Sequence, residues 1–278
     1  MFEGRKIVIA TKHRKEEVIA PILIEQLGLD PFVVEGLDTD LFGTFTGEIE
    51  RDAGPLEALR RKAERAIQIT GVDLAIASEG SFGPHPTVFF VPAGEELMLF
   101  MDKKNDVEVL AKSISTETNF GSAEVETEED LLAFADKSQF PAHALILSAA
   151  HENNTVFVKG ITSKDVLLSS FHDIRERSKT VLVQTDMRAL FNPTRMKNIA
   201  LACHVLMKNI KSACPVCSTP GFNVADVRSG LPCSLCGRPT KSTLAHQYEC
   251  KKCGQEEIRY YPNLKVEEDP TFCDYCNP

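Results

Sequence analysis

The residues with the clearest chemistry are eight cysteines arranged as four Cys-x-x-Cys pairs: Cys214 and Cys217, Cys233 and Cys236, Cys250 and Cys253, Cys273 and Cys276. Two intervening residues let a tight knuckle aim both sulfurs at one metal, and four thiolates complete a tetrahedral zinc shell. Eight sulfurs therefore predict two structural Zn²⁺ sites. Disulfides fit poorly with a chain expected to be cytoplasmic, where thiols stay reduced. Four regular copies of the motif also argue against a redox Cys-x-x-Cys or an iron–sulfur cluster. Four knuckles can be joined in three ways. Gly237 and Gly254 follow the second and third pairs as in zinc-ribbon knuckles, which favours joining the second pair to the third and the first to the fourth.

Four further groups of residues could do chemistry. The run Ala10-Thr-Lys-His-Arg-Lys15 follows an apolar strand and opens a helix. Backbone N–H groups there, with Thr11, Lys12 and Lys15, suit a phosphate. Ser78-Glu-Gly-Ser-Phe-Gly83 places Glu79 at the end of a second apolar strand, where α/β sheets hold their ligands. Glu57 lies in the helix before that strand, on a charged face with Arg60, Arg61, Lys62 and Glu64 that also fits plain solvation. Lastly, Asp186, Arg188, Asn192, Thr194 and Arg195 lie within ten residues of one another, at a strand end and a helix start. They suit an anion or a metal-bound phosphate, or else a network of caps and ion pairs that docks the last helix.

The elements that would position these groups alternate. Strands are predicted at Lys6–Ala10, Phe32–Val34, Asp73–Ser78, Val88–Val91, Leu97–Met101, His143–Leu147, Thr155–Val158 and Lys179–Gln184, with Pro92-Ala-Gly94 as a hairpin-like turn. Helices are predicted at Glu16–Leu27, Pro55–Ile69, Glu126–Ala135 and Ser163–Glu176, and from an Asn192 cap to Lys211. The pattern implies an α/β domain on one mixed sheet flanked by helices, residues 1–211, followed by a small zinc-ribbon domain, residues 212–278. With 43% hydrophobic residues the chain can build a core. No apolar run is long enough for a membrane span, and the opening residues are not expected to form a signal peptide. A net charge of −9 gives no general pull toward nucleic acid, and the cysteine-rich segment is close to neutral.

Two resemblances add to this. Thr185-Asp-Met-Arg-Ala with Asn192-Pro-Thr-Arg-Met196, Cys214-Pro-Val-Cys217, Gly230-Leu-Pro-Cys-Ser-Leu-Cys-Gly-Arg-Pro-Thr240 and the ending Cys276-Asn-Pro278 look like an uncharacterised bacterial family with a C-terminal zinc ribbon. More remotely, residues 5–102 resemble the inosine/xanthosine triphosphate pyrophosphatase and Maf-like group. The resemblance rests on the opening strand with Thr11 and Lys15, on Glu57 with Lys62-Ala63, and on Val72-Asp-Leu-Ala-Ile-Ala-Ser-Glu-Gly80. It implies a Mg²⁺-dependent hydrolase or binder of a nucleotide-like phosphate. Glu57 and Glu79 would hold the metal, joined by Asp186 at its strand end. Lys12 and Lys15 would hold phosphate, and Arg188 and Arg195 would neutralise developing charge. The rival expectation is a non-enzymatic zinc-ribbon module that binds RNA or a protein partner.

Overall fold

In the computed structural model, which describes residues 1–34, 54–151 and 154–278, the opening apolar run becomes β1 (Lys6–Ala10). It leads into α1 (Glu16–Leu27), β2 (Asp30–Val33), α2 (Pro55–Thr70), β3 (Leu74–Pro84), β4 (Pro92–Asp102) and β5 (Val107–Ser115). These strands form one sheet in the order β2-β1-β3-β4-β5. β1 runs parallel to β2 and β3, and β3 pairs antiparallel with β4, so the sheet is mixed. Ile7 through Ala10 are all buried, the continuous apolar run of a strand covered on both faces. On one face, Leu59, Ala63 and Ala66 of α2 pack against Val8, Ala10, Ala75, Ala77, Leu99 and Met101. Pro55 starts α2, where its missing N–H costs nothing.

The chain then builds a second sheet where one was expected. β6 (Ser122–Val125), α3 (Glu128–Lys137), β7 (Leu145–His151), β8 (Asn154–Ile161), α4 (Lys164–Arg175) and β9 (Val181–Thr185) follow in sequence. The sheet order is β6-β9-β7-β8, with every pairing antiparallel. Its core packs Leu145, Leu147, Val181 and Val183 against Leu131 of α3 and Leu167 and Phe171 of α4. Thr127 caps α3 by accepting from the Asp130 N–H at 3.2 Å. α5 (Pro193–Lys211) closes this part of the chain.

The β3–β4 hairpin corrects another expectation. Val88–Val91 is not a strand, and Pro92–Gly94 is not the turn. The ladder runs without a break from Leu74↔Asp102 to Pro84↔Pro92, and the connection is 85–91. The ring of His85 organises that connection, its Nδ1 accepting from the N–H groups of Thr87 and Val88 at 3.2 and 3.1 Å. An apolar string was mistaken for a strand because its turn is held by a side chain and carries no Asn-Gly or Gly-Gly signal. β5 and β6 also went unpredicted.

The chain divides into two compact units. One comprises Met1–Lys104 and Leu110–Met207, the other Asn105–Val109 and Lys208–Pro278. The second is built on a three-stranded antiparallel sheet, β10 (Asn223–Ser229), β11 (Thr243–Glu249) and β12 (Glu256–Tyr260), with β11 in the centre. Among the described residues, no helix is long and apolar enough to cross a membrane.

Candidate functional site

In the second unit each Cys-x-x-Cys pair closes the same loop. The N–H four residues after the first cysteine donates to that cysteine's carbonyl: Ser218 to Cys214 at 2.9 Å, Gly237 to Cys233 at 2.8 Å, Gly254 to Cys250 at 2.8 Å and Asn277 to Cys273 at 2.9 Å. Ser218, Gly237 and Gly254 take left-handed backbone conformations to make this closure, which is where glycine is cheapest. The loops gather the sulfurs into two quartets, Cys214 with Cys217, Cys250 and Cys253, and Cys233 with Cys236, Cys273 and Cys276. The first knuckle therefore joins the third and the second joins the fourth, not the pairing the glycines favoured. The antiparallel meander is the reason. β10 starts at the sheet end where β11 finishes, since Asn223 pairs with Glu249, so knuckles one and three share that end. β11 starts where β12 finishes, since Ala245 pairs with Tyr260, so knuckles two and four share the other.

The spacing within each quartet suits zinc. Sulfur–sulfur distances are 3.6 Å for Cys214–Cys253 and for Cys217–Cys250, 3.9 Å for Cys233–Cys276 and 3.8 Å for Cys236–Cys273. A tetrahedron with Zn–S bonds of about 2.3 Å has edges of about 3.8 Å, whereas a disulfide needs about 2.05 Å. Cys214 and Cys250 are buried with Phe222, against which Tyr248 packs, so one quartet also anchors the unit's small apolar cluster.

In the first unit, β1 leaves through α1 toward β2 on one side, and β3 turns into β4 on the other. The carboxyl end of β1 thus flanks a topological switch point, the usual place for a ligand crevice; Glu79 does not end its strand as expected, because β3 continues past its last pairing with β1 at Ala77 as far as Pro84. Charged side chains converge there. Lys15 is buried, and its Nζ donates to Ser78 Oγ at 3.0 Å. Lys62 reaches from α2 to pair with Glu79. Arg195, in the first turn of α5, donates through Nε to Glu96 Oε1 at 2.7 Å and through Nη1 to the Met187 carbonyl. Strand alternation sorts the partners, since Glu79 shares the α2 face of β3 with Ala75 and Ala77. Ser78 and Gly80 take the opposite face, and Glu96 is the β4 residue paired with Gly80.

Gly80 makes room for this arrangement. A Cβ there would lie 2.3 Å from Arg195 Nη2 and 2.6 Å from Glu96 Oε1. The segment before α1 is also constrained, with His13 and Arg14 at φ of 70° and 60°, a costly conformation for two successive non-glycine residues. Burial, reinforced by the nearby Arg195 charge and offset by Glu96 and Glu79, lowers the Lys15 pKa from 10.5 to about 8. The second oxygen of Glu96, Oε2, is buried without a hydrogen-bond partner.

The predicted residues divide between this crevice and other roles. Lys15, Glu79 and Arg195 belong to it. Lys62, Ser78, Gly80 and Glu96 join it without having been proposed as site residues. Lys62 carried a signal, because it falls on the same apolar stripe of α2 as Leu59, Ala63 and Ala66. Glu96 was invisible once the hairpin turn was misplaced. Thr11 Oγ1 donates to the Lys12 carbonyl at 2.9 Å, and Lys12 is exposed. Glu57 is exposed and accepts from Arg61 Nε at 3.1 Å. Asp186 is fully buried and accepts from the Gly160 and Arg188 N–H groups and from the Arg188 guanidinium. Asn192 is buried and caps α5 by accepting from the Arg195 N–H at 2.9 Å, and Thr194 bonds His143 at 2.9 Å.

The structure does not bring Glu57, Glu79 and Asp186 together as a metal centre. Among the described residues, the two cysteine quartets are the groups of three or more potential ligand atoms lying within 4.8 Å of one another. Glu57, which the resemblance assigned to Mg²⁺ with Glu79, pairs instead with Arg61, and Glu79 pairs with Lys62.

Three measurements check this geometry. Metal analysis of the whole protein should return two zinc ions per chain. Cys217→Ser with Cys253→Ser should leave one, whereas Cys217→Ser with Cys273→Ser should leave none; the reverse would refute the interleaved pairing. Asp186→Ala should cost about 2 kcal/mol or more in denaturant unfolding, since two backbone N–H groups lose their acceptor. For Lys15, the folded pKa near 8 lies below the unfolded 10.5. The unfolded chain therefore binds more protons between those values, and stability should rise with pH across that window. Lys15→Met should abolish the rise and leave the protein at least as stable at neutral pH.

Comparison with known proteins adds a family and little else. No curated protein matches the chain. A crystal structure of protein VC0702 from Vibrio cholerae is similar over 74% of this chain and 94% of that one, at 9% identity and a TM-score of 0.36, too distant a likeness to carry an argument. The family described as Domain of unknown function (DUF6671) matches residues 62–278, which include the C-terminal part of α2, the β3–β4 hairpin, α5 and both cysteine quartets. The chain belongs to the DUF6671 family.

Proposed function

We propose that the first unit binds the phosphate of a nucleotide-like small molecule at the carboxyl end of β1, beside Ser78 and Gly80 of β3, and that the second unit is held together by two structural zinc ions. The observation that supports phosphate binding most directly is an imbalance of charge. Lys15, Lys62 and Arg195 face Glu79 and Glu96, and each of the latter two cations is paired with one of the carboxylates. Lys15 donates to a hydroxyl, so among the described residues gathered here the cations outnumber the carboxylates by one. Burying an ammonium without a carboxylate partner is expensive, and an incoming anion would offset that cost. Its place at the switch point of a partly parallel sheet supports the same reading. The reading is one of binding.

Binding can be tested by thermal shift and calorimetry with inorganic phosphate, pyrophosphate and a panel of nucleotides. At least one should raise the melting temperature. Its affinity should fall with added salt and fall again as pH rises through about 8, where Lys15 loses its proton. In Lys15→Met that pH dependence should disappear. A panel without any shift at neutral pH would sink the proposal.

A further inference from the structure

Ser78 is the one uncharged side chain that Lys15 grips. It is buried midway along β3, just past the last residue paired with β1, on the strand face that carries Gly80 two residues later, roughly 7 Å further along. Over Gly80 lies the guanidinium of Arg195. A hydroxyl, an amine and a fixed cation are therefore aligned along one strand face. We propose that Ser78 is a nucleophile, with Lys15 as its general base, and that it attacks the phosphoryl group bound in this crevice. The inference rests on the phosphate-binding reading and adds a covalent step to it.

The geometry matches what an activated serine requires: a hydroxyl within hydrogen-bond reach of a base that is itself held in place. Lys15 meets the second condition through burial and through a lysine pKa lowered to about 8, which leaves an appreciable fraction of free amine near neutrality. The charged groups facing it are Arg195 from α5, Lys62 from α2, Glu79 from β3 and Glu96 from β4. On its own segment, Arg14 is exposed and ion-paired with Glu17. Arg195, which lies over Gly80 on the same face of β3 as Ser78, can receive the phosphoryl oxygens.

In the step, neutral Lys15 Nζ takes the Ser78 hydroxyl proton as the Oγ–P bond forms. The P–O bond to the leaving group breaks, and that oxygen keeps the electron pair and takes the proton back from the Lys15 ammonium. Water then attacks phosphorus, the P–Oγ bond breaks, and Ser78 regains its proton. Atoms and charge balance without an oxidant or a metal.

One lysine then gives two opposite pH signatures. Phosphate binding needs the ammonium and weakens above about pH 8, whereas reaction at Ser78 needs the amine and speeds up through the same value. The test uses the whole zinc-loaded protein and an uncharged alkyl fluorophosphonate, which loses fluoride to serine and leaves an adduct that peptide mass spectrometry can place. Ser78 should be labelled, about tenfold faster on the alkaline plateau than at pH 7. Labelling should vanish in Ser78→Ala and slow by about a hundredfold or more in Lys15→Met. The thermal shift with phosphate is measured in parallel on the unaltered protein. Intact phosphate binding with Ser78 unlabelled, or labelled at a rate indifferent to pH and to Lys15→Met, overturns the nucleophile and spares the binding site. Loss of both responses in the unaltered protein overturns both.

Discussion

The crevice depends on a missing side chain. Arg195 can lie against β3 because Gly80 presents only backbone, and that contact holds the guanidinium on Glu96 across the hairpin. The other positions follow from it. The face of β3 that admits Arg195 also carries Ser78, which Lys15 reaches, and the opposite face carries Glu79, which Lys62 reaches. A methyl group at position 80 would have to displace either the guanidinium or the carboxylate, and each would then be a buried charge without its partner. One glycine thus sets the approach of the Arg195 and Glu96 charges to β3.

The second unit meets a different constraint. Its β10 strand is almost wholly exposed, β12 nearly so, and its apolar cluster rests on Phe222 and Tyr248 with two cysteines. A segment of this size buries too little apolar surface to fix its own fold. Four thiolates on one divalent ion would supply what the core cannot, and the cysteine quartets at the two ends of the meander are placed to tie the first strand to the last. Interleaved pairing is the natural consequence of an antiparallel sheet with knuckles at every strand junction. Joining the second knuckle to the third would require sulfurs at opposite ends of β11 to meet.

Features that depend on a few neighbouring residues were legible in the sequence. The knuckles, the apolar run of β1, the Pro55 start of α2, the Thr127 cap and the Asn192 cap of α5 are all local, and each appears where expected. What was lost depended on pairing between distant segments. The misplaced turn after β3 hid the register that sets Glu96 against Gly80. The second sheet was merged with the first, because alternating strands and helices do not say where one sheet stops. The zinc pairing failed for the same reason, since glycine spacing describes a knuckle and not the sheet end where it lies. The Glu57 stretch shows a further limit: α2 turns Lys62 inward and leaves Glu57 paired with Arg61 on the solvent side.

Two buried charge networks in the first unit look alike in sequence and differ in physics. Around Asp186, both carboxylate oxygens accept backbone and guanidinium hydrogens, and Asn192 spends its amide on Asn119 and the cap of α5. Such a network is complete and explains itself as the joint between β9 and α5. Around Lys15 the accounts do not close. An ammonium rests on a hydroxyl, a buried carboxylate oxygen of Glu96 lacks a donor, and two successive residues before α1 hold strained backbone angles. Each of these features costs stability. Cost without structural return is the physical mark of a site kept for a ligand, which is why the crevice, and not the richer cluster at Asp186, carries the functional reading.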